Sequence, residues 1–60
     1  MCLSTVYKNE KTEDTVIMRI VMEIRCDVTS VTLTDLMERT VTVEGKLLSA
    51  NLVEGYVIIQ

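Results

Sequence analysis

Histidine is missing from this chain, and so are proline, tryptophan and phenylalanine. Without histidine the commonest general base and the commonest metal-ligating side chain are both gone. A Ser-His or Cys-His nucleophile is excluded, as is a histidine zinc site. Tyr7 and Tyr56 are the only aromatics. They are too few for a stacking platform for single-stranded bases or for the aromatic groove that receives proline-rich peptides. Basic charge is also short, with six lysines and arginines against nine acids and a net charge of −3. That balance argues against a nucleic-acid partner, which would call for a basic patch. Long apolar runs are absent. Val16 to Ile24 comes nearest, but Arg19 and Glu23 interrupt it, and it falls far short of the roughly 20 residues that span a bilayer. The start of the chain has no basic stretch followed by an apolar core, so no leader is expected and a cytoplasmic location is. Cysteine rather than glycine at position 2 excludes N-myristoylation.

Sixty residues allow one small domain, 1–60. A chain of this size buries only about 60% of the surface that its unfolded form exposes. Help from a second subunit or another staple is therefore expected. The acidic residues form no constellation. Glu10, Glu13 and Asp14 read as a solvated loop, while Glu44 and Glu54 precede turn glycines. With no paired carboxylates and no nucleophile–base pair, the chain does not read as an enzyme.

Abundance lies elsewhere. Valine, isoleucine and threonine supply 22 of the 60 residues, and β-branched side chains fit a pleated surface better than a helix. Cys2 to Lys8 reads as a first strand and residues 9–14 as a polar loop. From Thr15 to Asp27 the pattern predicts a long strand, with Ile20, Met22, Ile24 and Cys26 on the apolar face. Ile17, Ile20, Val21 and Ile24 also fit helical spacing, but the β-branched content favours the strand. Val31 to Thr34 alternates, residues 35–39 supply a turn, and Thr40 to Glu44 is the clearest alternating strand. Leu47 to Val53 and Tyr56 to Ile59 complete the series. Gly45 and Gly55 are expected at turns or bulges with positive φ. Short strands at this spacing predict an all-β fold, a small antiparallel barrel of five to six strands.

Cys2 is the residue that could carry chemistry. Its thiol stands beside the α-amino group and the first backbone amides, a compact set of strong-field donors. Such a set suits a square-planar Ni(II) or Cu(II) ion and does not suit magnesium. One chain offers too few side-chain ligands, so a two-fold axis near the N-terminus would bring two Cys2 thiolates together. Composition alone leaves a second possibility open, an incidental cysteine on a fraying end. Cys26 is expected to be a buried, inert thiol. The methionines show no short metal-binding cluster and read as core filler, with Met1 a separate case because its amine is a possible donor.

The opening Met1-Cys2-Leu3, the length, the missing histidine, the run Val21-Met22-Glu23-Ile24-Arg25, Val31-Thr32-Leu33 and the closing Tyr56-Val57-Ile58-Ile59 resemble the CooT-type nickel-binding proteins. These are small accessory proteins of carbon monoxide dehydrogenase maturation. The resemblance implies an SH3-like barrel, a homodimer, and Cys2 as the nickel ligand. Met1, through its amine or backbone, is a secondary donor. It also implies that carbon monoxide dehydrogenase or its maturation proteins are partners. The alternative is a non-metal SH3-like module that binds a peptide or RNA, or an adaptor that pairs through its edge strands.

Overall fold

The structure, a computed structural model, describes residues 3–60. Six strands follow in order: β1 (Ser4–Lys8), β2 (Val16–Cys26), β3 (Ser30–Asp35), β4 (Thr40–Glu44), β5 (Leu47–Asn51) and β6 (Tyr56–Ile59). A single 3-10 turn, Glu13–Thr15, precedes β2. The strands form one sheet in the order β4-β3-β2-β1-β6-β5. The all-β fold predicted from the β-branched content is what the chain adopts. The strand choice for residues 16–26 over a helix also holds. One pairing departs from the antiparallel expectation. β1 and β6 run parallel, Thr5–Lys8 beside Tyr56–Ile59, while the other four pairings are antiparallel.

The chain path forces the sheet to curl. β4 and β5 are its two edges, yet only Gly45 and Lys46 separate them. Three Cα steps reach at most about 11 Å, whereas five strand spacings in a flat sheet would cover about 24 Å. The edges approach but do not pair with each other, so the sheet is barrel-like without being closed. The seam is held from both sides. Lys46 and Gln60 exchange backbone hydrogen bonds of 3.2 and 2.8 Å, and the Gly45 amide donates to the Thr29 carbonyl at 2.9 Å. Gly45 has φ +138, and a Cβ there would overlap the Gln60 carbonyl oxygen. Glycine is required at this point.

Long β2 serves both halves of the curl. Val16 to Val21 pairs with β1, and Val21 to Cys26 pairs with β3. The bend between them carries a bulge between Val21 and Glu23, and Ile20 sits at φ +51. One inserted residue shifts the phase of every side chain beyond it. The expected apolar face is accordingly wrong: Val21 is buried, whereas Ile20 and Met22 are exposed and Ile24 is only partly covered. Cys26, expected in the core, is exposed as well. β1 leaves β2 at Val21, so no strand flanks that edge of β2 from Glu23 onwards among the described residues. Met18 packs against the core as expected of a filler, but Met22 and Met37 do not.

The core consists of Val6, Val21, Val31, Leu33, Val57 and Ile59. In β3 and β6 alternation places Val31, Leu33, Val57 and Ile59 inward, as period two requires. Burying each such side chain contributes about 1.5–3 kcal/mol. Asp35 closes β3 and is buried as well. Its carboxylate accepts the Met37 and Arg39 amides, each at 2.9 Å, and Arg39 Nε at 2.8 Å. Burial alone would raise its pKa. The Arg39 amide and guanidinium, with the Met37 amide, outweigh that and hold the carboxyl below its ordinary 3.8. Asp35 thus fixes the 35–39 turn expected from the sequence.

Candidate functional site at the start of the first strand

Met1 and Cys2, the predicted metal ligands, lie outside the described residues. The structure does describe the residues that follow them in the chain. Ser4 is buried and pairs with Val21. The Thr5 amide donates to the Gly55 carbonyl at 3.0 Å, and from Thr5 onwards β1 is fixed by its parallel pairing with β6. Leu3 is half-buried, one Cα step of about 3.8 Å from residue 2. The start of β1 is therefore rigidly placed between β2 and β6.

The turn from β5 to β6 lies against that start. Gly55 has φ +80, as predicted for a turn glycine, and a Cβ there would approach the Leu3 carbonyl oxygen to 3.3 Å. Asn51 fixes the turn. Its Oδ1 accepts the Val53 amide at 3.1 Å and the Glu54 amide at 2.9 Å, while its carbonyl accepts the Gly55 amide at 2.8 Å. This side-chain mimic of a backbone turn holds Leu52 and Val53 out in solvent, 73% and 90% exposed. Beside them lies a hollow of about 300 Å³, with walls from Leu3, Met22, Ile24 and Leu52 and a floor of Val21 and Val57. Among the described residues no charged side chain lines it. The surface around the start of β1 is thus apolar, and its tip is preorganised. Neither the hollow nor the tip was foreseen from the sequence. The usable signal was Asn51 ahead of Leu52-Val53 and Glu54-Gly55, a turn former set before two apolar residues that look like strand.

A model of the family described as CO dehydrogenase accessory protein CooT matches residues 1–60, the whole chain. The chain belongs to the CooT family. Its role is therefore accessory to CO dehydrogenase, and it is not itself an enzyme. A search of curated proteins finds no match. A CooT role points to metal handling. Among the described residues no group of three or more Cys, Asp or Glu side chains converges. Cys26 stands roughly 15 Å along β2 from Val21, the residue paired with Ser4. No helix is long and apolar enough to cross a membrane among the described residues. A second hollow, of about 500 Å³, lies along Ile17, Met18, Arg19 and Ile20, where Arg19 pairs with Glu13 at 3.5 Å, and ends at Asp35 and Arg39. Those two charges satisfy each other, and the hollow holds no nucleophile.

Proposed function

We propose that the chain is a cytoplasmic nickel-handling accessory protein that holds Ni(II) through Cys2 at a homodimer interface and supports nickel insertion into carbon monoxide dehydrogenase. The observation that carries this reading is the match to the CooT family over the whole chain. The chemistry of the opening residues supports it. Thiolate, terminal amine of Met1 and deprotonated amide nitrogens form a strong-field set, and in a chain without histidine the donors that remain favour a square plane over a tetrahedral zinc site. The apolar surface beside Leu3 supports pairing of two copies, which would supply the second thiolate. Nickel is cargo in this scheme. Thiol and amides must lose protons to bind it, so affinity rises with pH.

The test is titration of the full chain with Ni(II), followed by ultraviolet-visible spectra and by mass measurement that resolves the dimer. One Ni(II) per dimer is expected, with thiolate-to-metal bands. Cys2→Ser abolishes the bands and the tight site, whereas Cys26→Ser binds as the parent does. Undiminished binding by Cys2→Ser would sink the proposal.

A further inference from the structure

Two arginines, Arg19 and Arg39, line the second hollow, where β2 bends past the 35–39 turn. Its volume of about 500 Å³ falls within the roughly 300–1,000 Å³ of ordinary ligand clefts. Asp35 is the one acid that lines it among the described residues, and it is buried. Its carboxylate is spent inward, on the Met37 amide, the Arg39 amide and Arg39 Nε. The Arg39 side chain is 71% exposed. Nε is tied to Asp35, whereas Nη1 and Nη2 have no partner among the described residues. A buried anchor thus orients a guanidinium whose other nitrogens stay open. Arg19 is the second cation. Its contact with Glu13 is long, at 3.5 Å, and both side chains are largely exposed, so water screens the pair and another carboxylate can replace Glu13. Glu38, next to Arg39 in the turn, does not line the hollow.

We infer that this hollow is a docking cleft for an extended, acidic segment of a partner protein. Ile17, Met18 and Ile20 receive apolar side chains of the segment, and Arg39 with Arg19 receives a carboxylate beside them. Charge complementarity selects this occupant. The chain as a whole carries a net charge of −3, yet the charge that the hollow turns outward is positive. The planar fork of Arg39 matches a carboxylate at two points, and because Asp35 has already oriented it, little side-chain entropy remains to be lost. Apolar surface continues past the cleft. Leu36 and Met37 are exposed, and the Leu36 amide donates to the Ile20 carbonyl at 2.9 Å, which sets Leu36 beside the hollow. Ile20 itself holds φ +51, an outlier for a β-branched residue. Strain of this kind persists where surrounding contacts fix it, commonly at ligand clamps. An accessory role calls for contact with another protein, and this cleft provides it without Cys2 or nickel.

The probe is a short peptide, acetyl-Leu-Asp-Leu-Asp-Leu-amide, titrated into the nitrogen-labelled full chain and followed by amide chemical shifts. Saturable shifts are expected at Ile20, Leu36 and Arg39 and not at Leu52 or Val53. Affinity should fall at least about 5-fold between about 50 and 500 mM salt. Arg39→Gln is expected to weaken binding about 10-fold, and Arg39→Lys nearly as much, because an ammonium cannot reproduce the fork. Arg39 also helps to order its own turn, so Arg19→Gln supplies the independent check. It should melt as the parent does and weaken binding about 3-fold. Arg25→Gln, at an exposed position on the far half of β2, should change neither. Equal binding of acetyl-Leu-Lys-Leu-Lys-Leu-amide would overturn the inference, as would undiminished binding by both Arg19→Gln and Arg39→Gln. So would the absence of saturable shifts up to about 5 mM peptide, beyond the range of ordinary weak contacts. Inorganic phosphate or phosphatidylglycerol vesicles that move the same amides at lower concentration would reassign the cleft to a different anion. Dilution of the peptide-free chain that moves them would reassign it to a second copy, and either result overturns the proposal. The nickel reading fails separately. Cys2→Ser should bind the peptide as the parent does, whereas tight nickel binding without peptide binding sinks the cleft alone.

Discussion

Gly45→Ala should be the most damaging single-methyl change in the chain. Gly45 joins the two edges of the sheet at φ +138, and its added Cβ would overlap the Gln60 carbonyl oxygen and come within 3.1 Å of Lys8 Nζ. Backbone conformations of this kind cost an L residue about 1–3 kcal/mol. The overlap is with backbone, so it cannot be relieved by rotating a side chain. Gln60 must shift, and its oxygen accepts the Lys46 amide at 3.2 Å while Lys8 Nζ donates to the Glu44 carbonyl at 2.9 Å. Strain and loosened seam together amount to about 3 kcal/mol. A domain of 60 residues has roughly 3–9 kcal/mol in total, so this is a large fraction. At about 4–8 °C per kcal/mol the melting temperature should fall by about 12–24 °C.

Gly55→Ala supplies the internal comparison. Its φ is +80, but its Cβ would meet only the Leu3 carbonyl oxygen, at 3.3 Å, so a loss of about 1–2 kcal/mol is expected. Thermal unfolding by circular dichroism, with urea unfolding as the check on two-state behaviour, measures both. If Gly45→Ala melted within about 3 °C of the parent, or no lower than Gly55→Ala, the seam would not hold the fold as described.

Two further predictions concern the bend and the 35–39 turn. Asp35→Asn should lower the melting temperature at neutral pH. Asp35's carboxyl is held below 3.8 in the folded state, so its stabilisation is present above that pH and fades as pH falls through the lower folded value. The gap between parent and variant should therefore narrow on acidification toward pH 2, roughly, and a gap that widened would refute the assignment. Ile20→Gly removes a β-branched residue from φ +51, where the relieved strain of about 1–2 kcal/mol offsets most of the burial lost. Chemical denaturation should place Ile20→Gly within about 1 kcal/mol of the parent, whereas Val21→Gly, one position on and buried, should lose more than about 3 kcal/mol. Equal losses at the two positions would show that Ile20 carries no strain.

What the sequence revealed of the fold depends on where a single face is buried along a whole strand. β4 and β6 lie where expected, at Thr40–Glu44 and Tyr56–Ile59, β3 extends the expected Val31–Thr34 by one residue at each end, and more and less buried positions alternate along all three. β2 defeats that rule because it serves two partners in turn. Its bulge and the left-handed Ile20 reset the phase midway, and nothing in Met18-Arg19-Ile20-Val21-Met22 announces it. Cys26 was misjudged for the same reason, since it was counted along a face that does not continue past Val21. β5 differs in another way: the expected stretch Leu47 to Val53 is strand only as far as Asn51, and Leu52 and Val53 belong to the turn. Its leucines look like core, but the strand is an edge and they are exposed, and pairing order cannot be read from composition.

The candidate site divides along the same line. Its chemistry is a matter of residue type at one place in the chain, Cys2 after Met1 in a protein without histidine, and residue types are visible in any sequence. Its surroundings are a matter of which strands meet. Leu3, Met22, Ile24, Leu52 and Val57 come from four separate segments and form one hollow only because β1 inserts between β2 and β6. The same insertion buries Ser4 and ties Thr5 to Gly55. It therefore fixes the start of β1, two residues after Cys2, and places an apolar surface beside it. None of the six core residues is a metal-ligating type. On the nickel reading, folding and metal capture are consequently carried by different residues, so the cargo can come and go while the sheet that presents it stays formed.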